Sequence, residues 1–357
     1  MPDRRLLGII AFSTLSAAAA AQGTTCYSGI CFPQGNISFA DALVDYDPAH
    51  SGLCVPTNGN FTQPTSALGP PDFTNTSSPG AVALGSGGRL EVAFVDNLLT
   101  NSGNNGVDDL HIFEVGPLVE ASDVAVRPKD AATVALLMGA GLIDADGDGF
   151  WEVGAIGGSV ASLDLDAWAI GFAAGQLRFD AVQLIDDPLN NPVCNATVGA
   201  DIDAVGAITT SPQSGVGQEI CAPAALNSSG LAGRIEAFGS NAAGVNDVTL
   251  LATQLPTGSF GYFLGSRQTQ TPVMPPSSQG RLCLGGSIGR YAAAAQIRRT
   301  GLSGTFGLVL ELPMTPQPTG FVSVLAGETW YYQTWFRDVV GGMPTSNFTD
   351  ATKVDYQ

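Results

Sequence analysis

The stretch "LIDADGDGFWEV", residues 142–153, sets Asp144, Asp146 and Asp148 two residues apart and follows them with Gly149. A hard divalent cation takes about six to eight oxygens, and alternating aspartates around a tight glycine turn supply them. With Asp144 at the first ligand position, Asp146 and Asp148 fall at the third and fifth. Phe150 then offers its backbone carbonyl at the seventh, and Glu152 acts at the ninth, directly or through water. The twelfth position, where a helix-loop-helix calcium sensor places a bidentate glutamate, is Ala155. The flanks "MGAGLI" and "VGAIGGS" are too rich in glycine for paired helices. The sensor reading fails on both counts. A calcium loop on a β scaffold remains, with the missing ligand supplied by Asp164 or Asp166; the alternative is a solvated Asp-Gly turn.

A second acidic group is spread more widely. Asp108, Asp109 and Glu114 flank one expected strand, Asp186 and Asp187 end another, and Asp201 and Asp203 begin a third. If these strands are neighbours, several carboxylates converge on one sandwich edge. Their repulsion then favours a bound cation or raised carboxyl pKa values. Acids scattered along exposed strand ends are the alternative.

Catalytic signals are weaker. "GGSIG", residues 285–289, matches the G-x-S-x-G elbow of serine hydrolases with Ser287 as nucleophile, but that fold needs a later histidine. The two histidines, His50 and His111, both precede it. A glycosidase needs only two carboxylates at a suitable separation, and no pair stands out by an aromatic surrounding. Trp151 and Trp168 are the aromatic candidates for stacking on a sugar ring, with core packing as the competing role. No catalytic residue is assigned, and the chain is expected to be non-catalytic.

These groups must be positioned by a chain of unusual composition. It holds 45 glycines and 22 prolines and carries a formal net charge of −18. Only Lys129 and Lys353 are lysines. Scarce helix formers and plentiful turn residues predict an all-β fold. The acidity excludes nucleic acid and anionic membrane as natural partners, since both need a basic face. Residues 1–21 read as a secretory signal: Arg4 and Arg5, an apolar run from Leu6 to Leu15, then small residues before Gln22. No later stretch is long and apolar enough to span a bilayer, so the mature chain is expected to be secreted or held at the cell surface. Six cysteines in such a compartment should pair. The favoured bridges are Cys26 to Cys31, Cys54 to Cys194 and Cys221 to Cys283, among the fifteen pairings that six cysteines permit.

Short alternating runs such as "RLEVAF", "DLHIFEV" and "AVQLID" put apolar residues on one strand face. After a cysteine-containing segment, 22–35, they predict a β-sandwich over 36–208. The polar stretch "TTSPQSGVGQ", 209–218, reads as a linker. Runs ending in "TWYYQTWFRD" predict a second, smaller sandwich over 219–357, with Trp330, Tyr332 and Phe336 on its inner face.

The elements "FADALVDYDPA", "SALGPPD", "VALGSGGRLEVAF", "DDLHIFEVG" and "VQLIDD…GADIDAVGAI" resemble bacterial secreted and cell-surface proteins with a galactose-binding-like, discoidin-like jelly roll. The resemblance covers roughly residues 38–208. "CAPAALNSSGLAGRIEAFGS", "GRLCLGGSIGR" and "TWYYQTWFRD" resemble a small β domain at the ends of many such proteins. The resemblance implies a jelly roll with a structural calcium, exported and engaged in adhesion or in binding a cell-surface glycan or envelope component. One departure is the aspartate loop: where relatives place a short "S.DG..W" turn, this chain carries "DADGDGFWEV". A carbohydrate-active hydrolase using paired carboxylates and a structural envelope component are the rival expectations.

Overall fold

The computed structural model describes residues 23–51, 54–77, 80–116, 118–189, 194–301 and 303–357. The expected secretory signal lies outside them. The fold is all-β, as the composition predicts; among the described residues only Ala131–Gly139 and Leu165–Trp168 form α-helices. No helix there is long and apolar enough to cross a membrane.

The first half is a sandwich of two antiparallel sheets. The larger has Arg178–Asp186 at its centre, with Arg89–Ala93 on one side and Val119–Pro128 on the other. Ala42–Asp47 extends it beyond Arg89–Ala93, and Trp151–Gly158 extends it beyond Val119–Pro128. The smaller sheet runs Ser162–Leu163, Leu110–Glu114, Asp201–Ala207, Val82–Ala83. Strand alternation puts Leu90, Val92, Phe94, Val182 and Leu184 of the larger sheet into one core with Leu110, Ile112, Ile202 and Val205 of the smaller.

The second half has its own core. Gln218–Ile220, Met343–Asp355, Thr329–Val340, Phe260–Ser266 and Gly289–Arg290 form one sheet, and Arg234–Gly239, Val248–Thr253 and Phe306–Leu310 another. Trp330, Tyr332 and Phe336 lie between them, fully buried as expected from their spacing.

Part of the outer face of the larger N-terminal sheet is apolar too. Ala42, Ala93, Ala125 and Ala181 meet Phe238 and Leu251 of the second half. Small residues allow this close approach: a Cβ on Gly307 would lie 2.8 Å from that of Ala42. Lys129 adds a polar link, with Nζ 2.9 Å from Asp247 and 3.5 Å from Asp180. Residues 209–218 are engaged at both ends. Thr210–Pro212 pairs with Asn97–Thr100, and Gln218–Ile220 pairs with Met343–Asp355. All six cysteines are bridged, in the three favoured pairs.

Candidate functional site

The aspartate loop joins the helix Ala131–Gly139 to the strand Trp151–Gly158. Asp130 caps the helix by accepting from the Thr133 amide, and Gly139 ends it. The loop folds on its own carboxylates. Asp144 accepts from the Gly147 amide at 2.7 Å and the Gly149 amide at 2.9 Å. Asp146 accepts from the Asp148 amide at 3.2 Å. Gly147 and Gly149 sit at φ +79° and +94°, a region that an L side chain rarely adopts.

Oxygens of Asp144, Asp146 and Glu152 lie within 4.8 Å of one another, a group that can hold a metal ion. The Asp146 carboxyl stands above its usual range, through desolvation and then the charges of Asp148, Glu152 and Asp144, against the pull of the Asp148 amide. Asp148 is not in this group. Its Oδ1 accepts from the Phe150 amide at 2.8 Å, and its Oδ2 from Gln183 Nε2 at 2.6 Å. The Phe150 side chain is buried, with the Arg127 guanidinium 5.6 Å from its ring centre.

Beside the loop lies a groove of about 590 Å³, lined by Asp123, Val124, Asp146, Glu152, Gln183 and Ile185 among others. Two of the three grouped carboxylates therefore face the groove. Gln183 also donates to Glu91 at 3.0 Å, which anchors the groove floor to the larger sheet.

The expected donors Asp164 and Asp166 are not grouped with this loop. Their oxygens group with Asp109 instead. Members of the second acidic set are bound into several turns and strand ends. Asp186 is buried and accepts from the Gly87 and Ala200 amides. Asp187 accepts from the Leu189 amide. Asp203, at a bulge in its strand, accepts from the Asp72 and Phe73 amides. Asp108 is exposed, and its charge acts on His111. Glu114 and Asp201 stay together, joined by Glu120, and Asp186 lies within reach of the Asp187 charge. Burial and then the Glu120 charge push Glu114 up to about 7, while burial and the charges of Glu120 and Glu114 push Asp201 to about 8.

Both candidate tryptophans pack on the core, Trp151 buried and Trp168 half-buried. Trp151 is 6% exposed within the core, and Trp168 packs on that core with its ring 6.2 Å from Phe179. The aromatic surrounding that the sequence did not reveal is elsewhere. A pocket of about 410 Å³ is lined by Tyr27, Phe73 and Phe113 together with Glu114 and Asp203. Burial pushes Asp203 up to about 6 against the Asp72 and Phe73 amides. Its aromatic rings come from three separate segments, so no local spacing announces it. Ser287 is exposed between the strands Leu282–Gly285 and Gly289–Arg290, which is not the strand–turn–helix context of a nucleophile elbow.

No protein-family model matches the chain, and no curated protein does. Among solved structures, that of an allantoicase is similar at 11% identity and a TM-score of 0.25, over 90% of this chain and 92% of that one. That structure is an enzyme's, so the expectation of a non-catalytic chain is corrected and carried no further. The likeness itself assigns no reaction.

Proposed function

We propose that this is an exported, adhesion-type surface protein that binds a glycan in the groove beside residues 144–152, with calcium at Asp144, Asp146 and Glu152. The observation that carries the reading is the sharing of Asp146 and Glu152 between the carboxylate group and the groove wall. The donor set fits the ion: three hard carboxylates, and no lysine, arginine or histidine paired with them among the described residues. Three side chains leave coordination positions for neighbouring sugar hydroxyls. Gln183 and Asp123 supply further polar contacts, while Val124 and Ile185 suit the C–H face of a sugar ring. Three disulfides support an extracellular location. On this reading residues 36–208 form a galactose-binding-like jelly-roll domain and residues 219–357 a smaller sandwich joined to it through 209–218. A glycan array read in millimolar calcium and again in chelator tests the proposal. Calcium-dependent signals support it; signals indifferent to chelator, or none, oppose it.

A second reading rests on a different observation. Glu114, about 7, and Asp203, about 6, line the aromatic pocket with Tyr27, Phe73 and Phe113. Two carboxyl groups that titrate near neutrality against ring faces suit acid–base cleavage of a glycosidic bond. Release of reducing ends from array-positive glycans, abolished by Glu114→Gln, would favour this reading over simple binding.

A further inference from the structure

Where the two halves meet, a pocket of about 230 Å³ opens beside the 3₁₀ turn Pro64–Ala67. Gln63, Thr65 and Ser66 line it from the first half, and Thr257, Gly258 and Arg299 from the second. The meeting is close. The Gly258 amide donates to the Gly301 carbonyl at 2.7 Å, and a Cβ on Gly301 would stand 2.8 Å from the Thr65 carbonyl oxygen. Gly301 also sits at φ +55°, so this part of the wall needs glycine on both counts.

Arg299 brings a positive charge to the pocket. Its strand, Arg298–Arg299, pairs with Phe260–Ser266, and its guanidinium lies 5.4 Å from the centre of the Phe260 ring. Nε donates to the Gly258 carbonyl at 3.3 Å, which leaves the two Nη groups. Among the described residues no carboxylate pairs with Arg299. No aspartate or glutamate lines the pocket, so its wall is positive within a chain of net charge −18. Two hydroxyls on the same wall lack partners. Thr65 and Ser66 are 9% and 7% exposed, and among the described residues neither side chain makes a hydrogen bond. Buried hydroxyls are costly to leave unpaired, and here the contents of the pocket can supply the partner.

We propose that this pocket binds a small organic acid about one ring in size, its carboxylate held by the Arg299 guanidinium and the Thr65 and Ser66 hydroxyls. A guanidinium offers a flat fork of donors that matches the two oxygens of a carboxylate. Volume sets the rest of the ligand. The space is several times the roughly 30 Å³ of a water in the liquid, and below the roughly 300 Å³ at which pockets for drug-sized ligands begin. A bare inorganic oxyanion would leave most of it unfilled, against the methyl groups of Thr65 and Thr257 and the backbone of Gly258. The site shares no lining residue with the groove beside residues 144–152. A bound acid touches both halves and holds them together.

Ligand-observed NMR titrations of the full chain with benzoate and with glucuronate test the site. Benzamide and glucose serve as uncharged counterparts, and sulfate as a bare oxyanion. At least one acid is expected to bind saturably while its uncharged counterpart does not. Arg299→Gln should weaken that binding about tenfold or more, and Arg299→Lys should weaken it too, because lysine keeps the charge but not the fork. Thr65→Val should weaken it about threefold and leave the melting temperature without ligand unchanged or higher, since the lost hydroxyl has no partner in the protein. That variant decides the matter even if Arg299→Gln fails to fold. Binding of neither acid overturns the proposal, whether or not sulfate binds. Equal affinity across wild type and the variants overturns it as well, as does equal binding of the uncharged counterparts.

Discussion

Gln183 Nε2 donates to Asp148 Oδ2 at 2.6 Å and so holds the third aspartate of the loop away from the other two. The loop oxygens that lie within 4.8 Å of one another are those of Asp144, Asp146 and Glu152. Asp148→Asn should leave calcium affinity within about threefold of wild type, a change below roughly 0.7 kcal/mol. Asp144→Asn should weaken it at least tenfold, because Asp144 both belongs to the carboxylate group and accepts from two loop amides. Isothermal titration of the two variants side by side checks this. Equal losses would place Asp148 among the ligands.

Stability should fall as pH rises in chelator. Burial raises Asp72 to about 7, Glu114 to about 7, Asp201 to about 8 and Asp350 to about 7. A carboxyl raised in the folded state binds its proton more tightly folded than unfolded. Its contribution is thus full below the unfolded pKa near 4 and is lost as pH climbs through the folded value. Each proton so held gives a slope of roughly 1.4 kcal/mol per pH unit. Asp350 isolates the effect, since burial dominates its shift and the Ile235 amide still finds an acceptor in Asp350→Asn. Urea midpoints between pH 5 and 8 should decline for wild type and decline less for the variant. A wild-type midpoint that rises across this range would contradict the sign.

Lys129 ties the two halves together, so Lys129→Met should destabilise the protein by about 1 kcal/mol. The figure is kept low because Asp247 is 39% exposed, solvent screens the pair, and Arg127 remains on Asp180 at 2.7 Å. Urea unfolding reads it as a lower midpoint with an unchanged slope. An unchanged midpoint would mean that the apolar contact of Ala42, Ala93 and Ala125 with Phe238 and Leu251 carries the junction alone.

The architecture was largely legible because strand alternation is a local signal. Leu90, Val92 and Phe94 declared their face, as did Trp330, Tyr332 and Phe336. The apolar back of the larger sheet was not, since Ala42, Ala93, Ala125 and Ala181 are too small to announce an interface. The helix Ala131–Gly139 was masked by the glycines that follow it. Of the site, the aspartate spacing pointed to Asp144, Asp146 and Glu152, whose oxygens the fold brings together, but could not show that Gln183, from a distant strand, engages Asp148. Asp109, Asp164 and Asp166 meet only because Ser162–Leu163 pairs with the strand beginning at Leu110. That register is tertiary information.

The most direct test of the central claim is a melting curve of wild type and Asp146→Ala in chelator and in millimolar calcium. An ion that binds the folded state stabilises it by about 2.7 kcal/mol at a concentration 100 times its dissociation constant. Wild type should melt several degrees higher in calcium. Asp146→Ala should lose the share of that gain owed to the groove-side ion, since it removes a carboxylate that both the group and the groove wall contain. A calcium-induced rise of the same size in Asp146→Ala and wild type, or no rise in wild type, would leave residues 144–152 a turn and contradict the account.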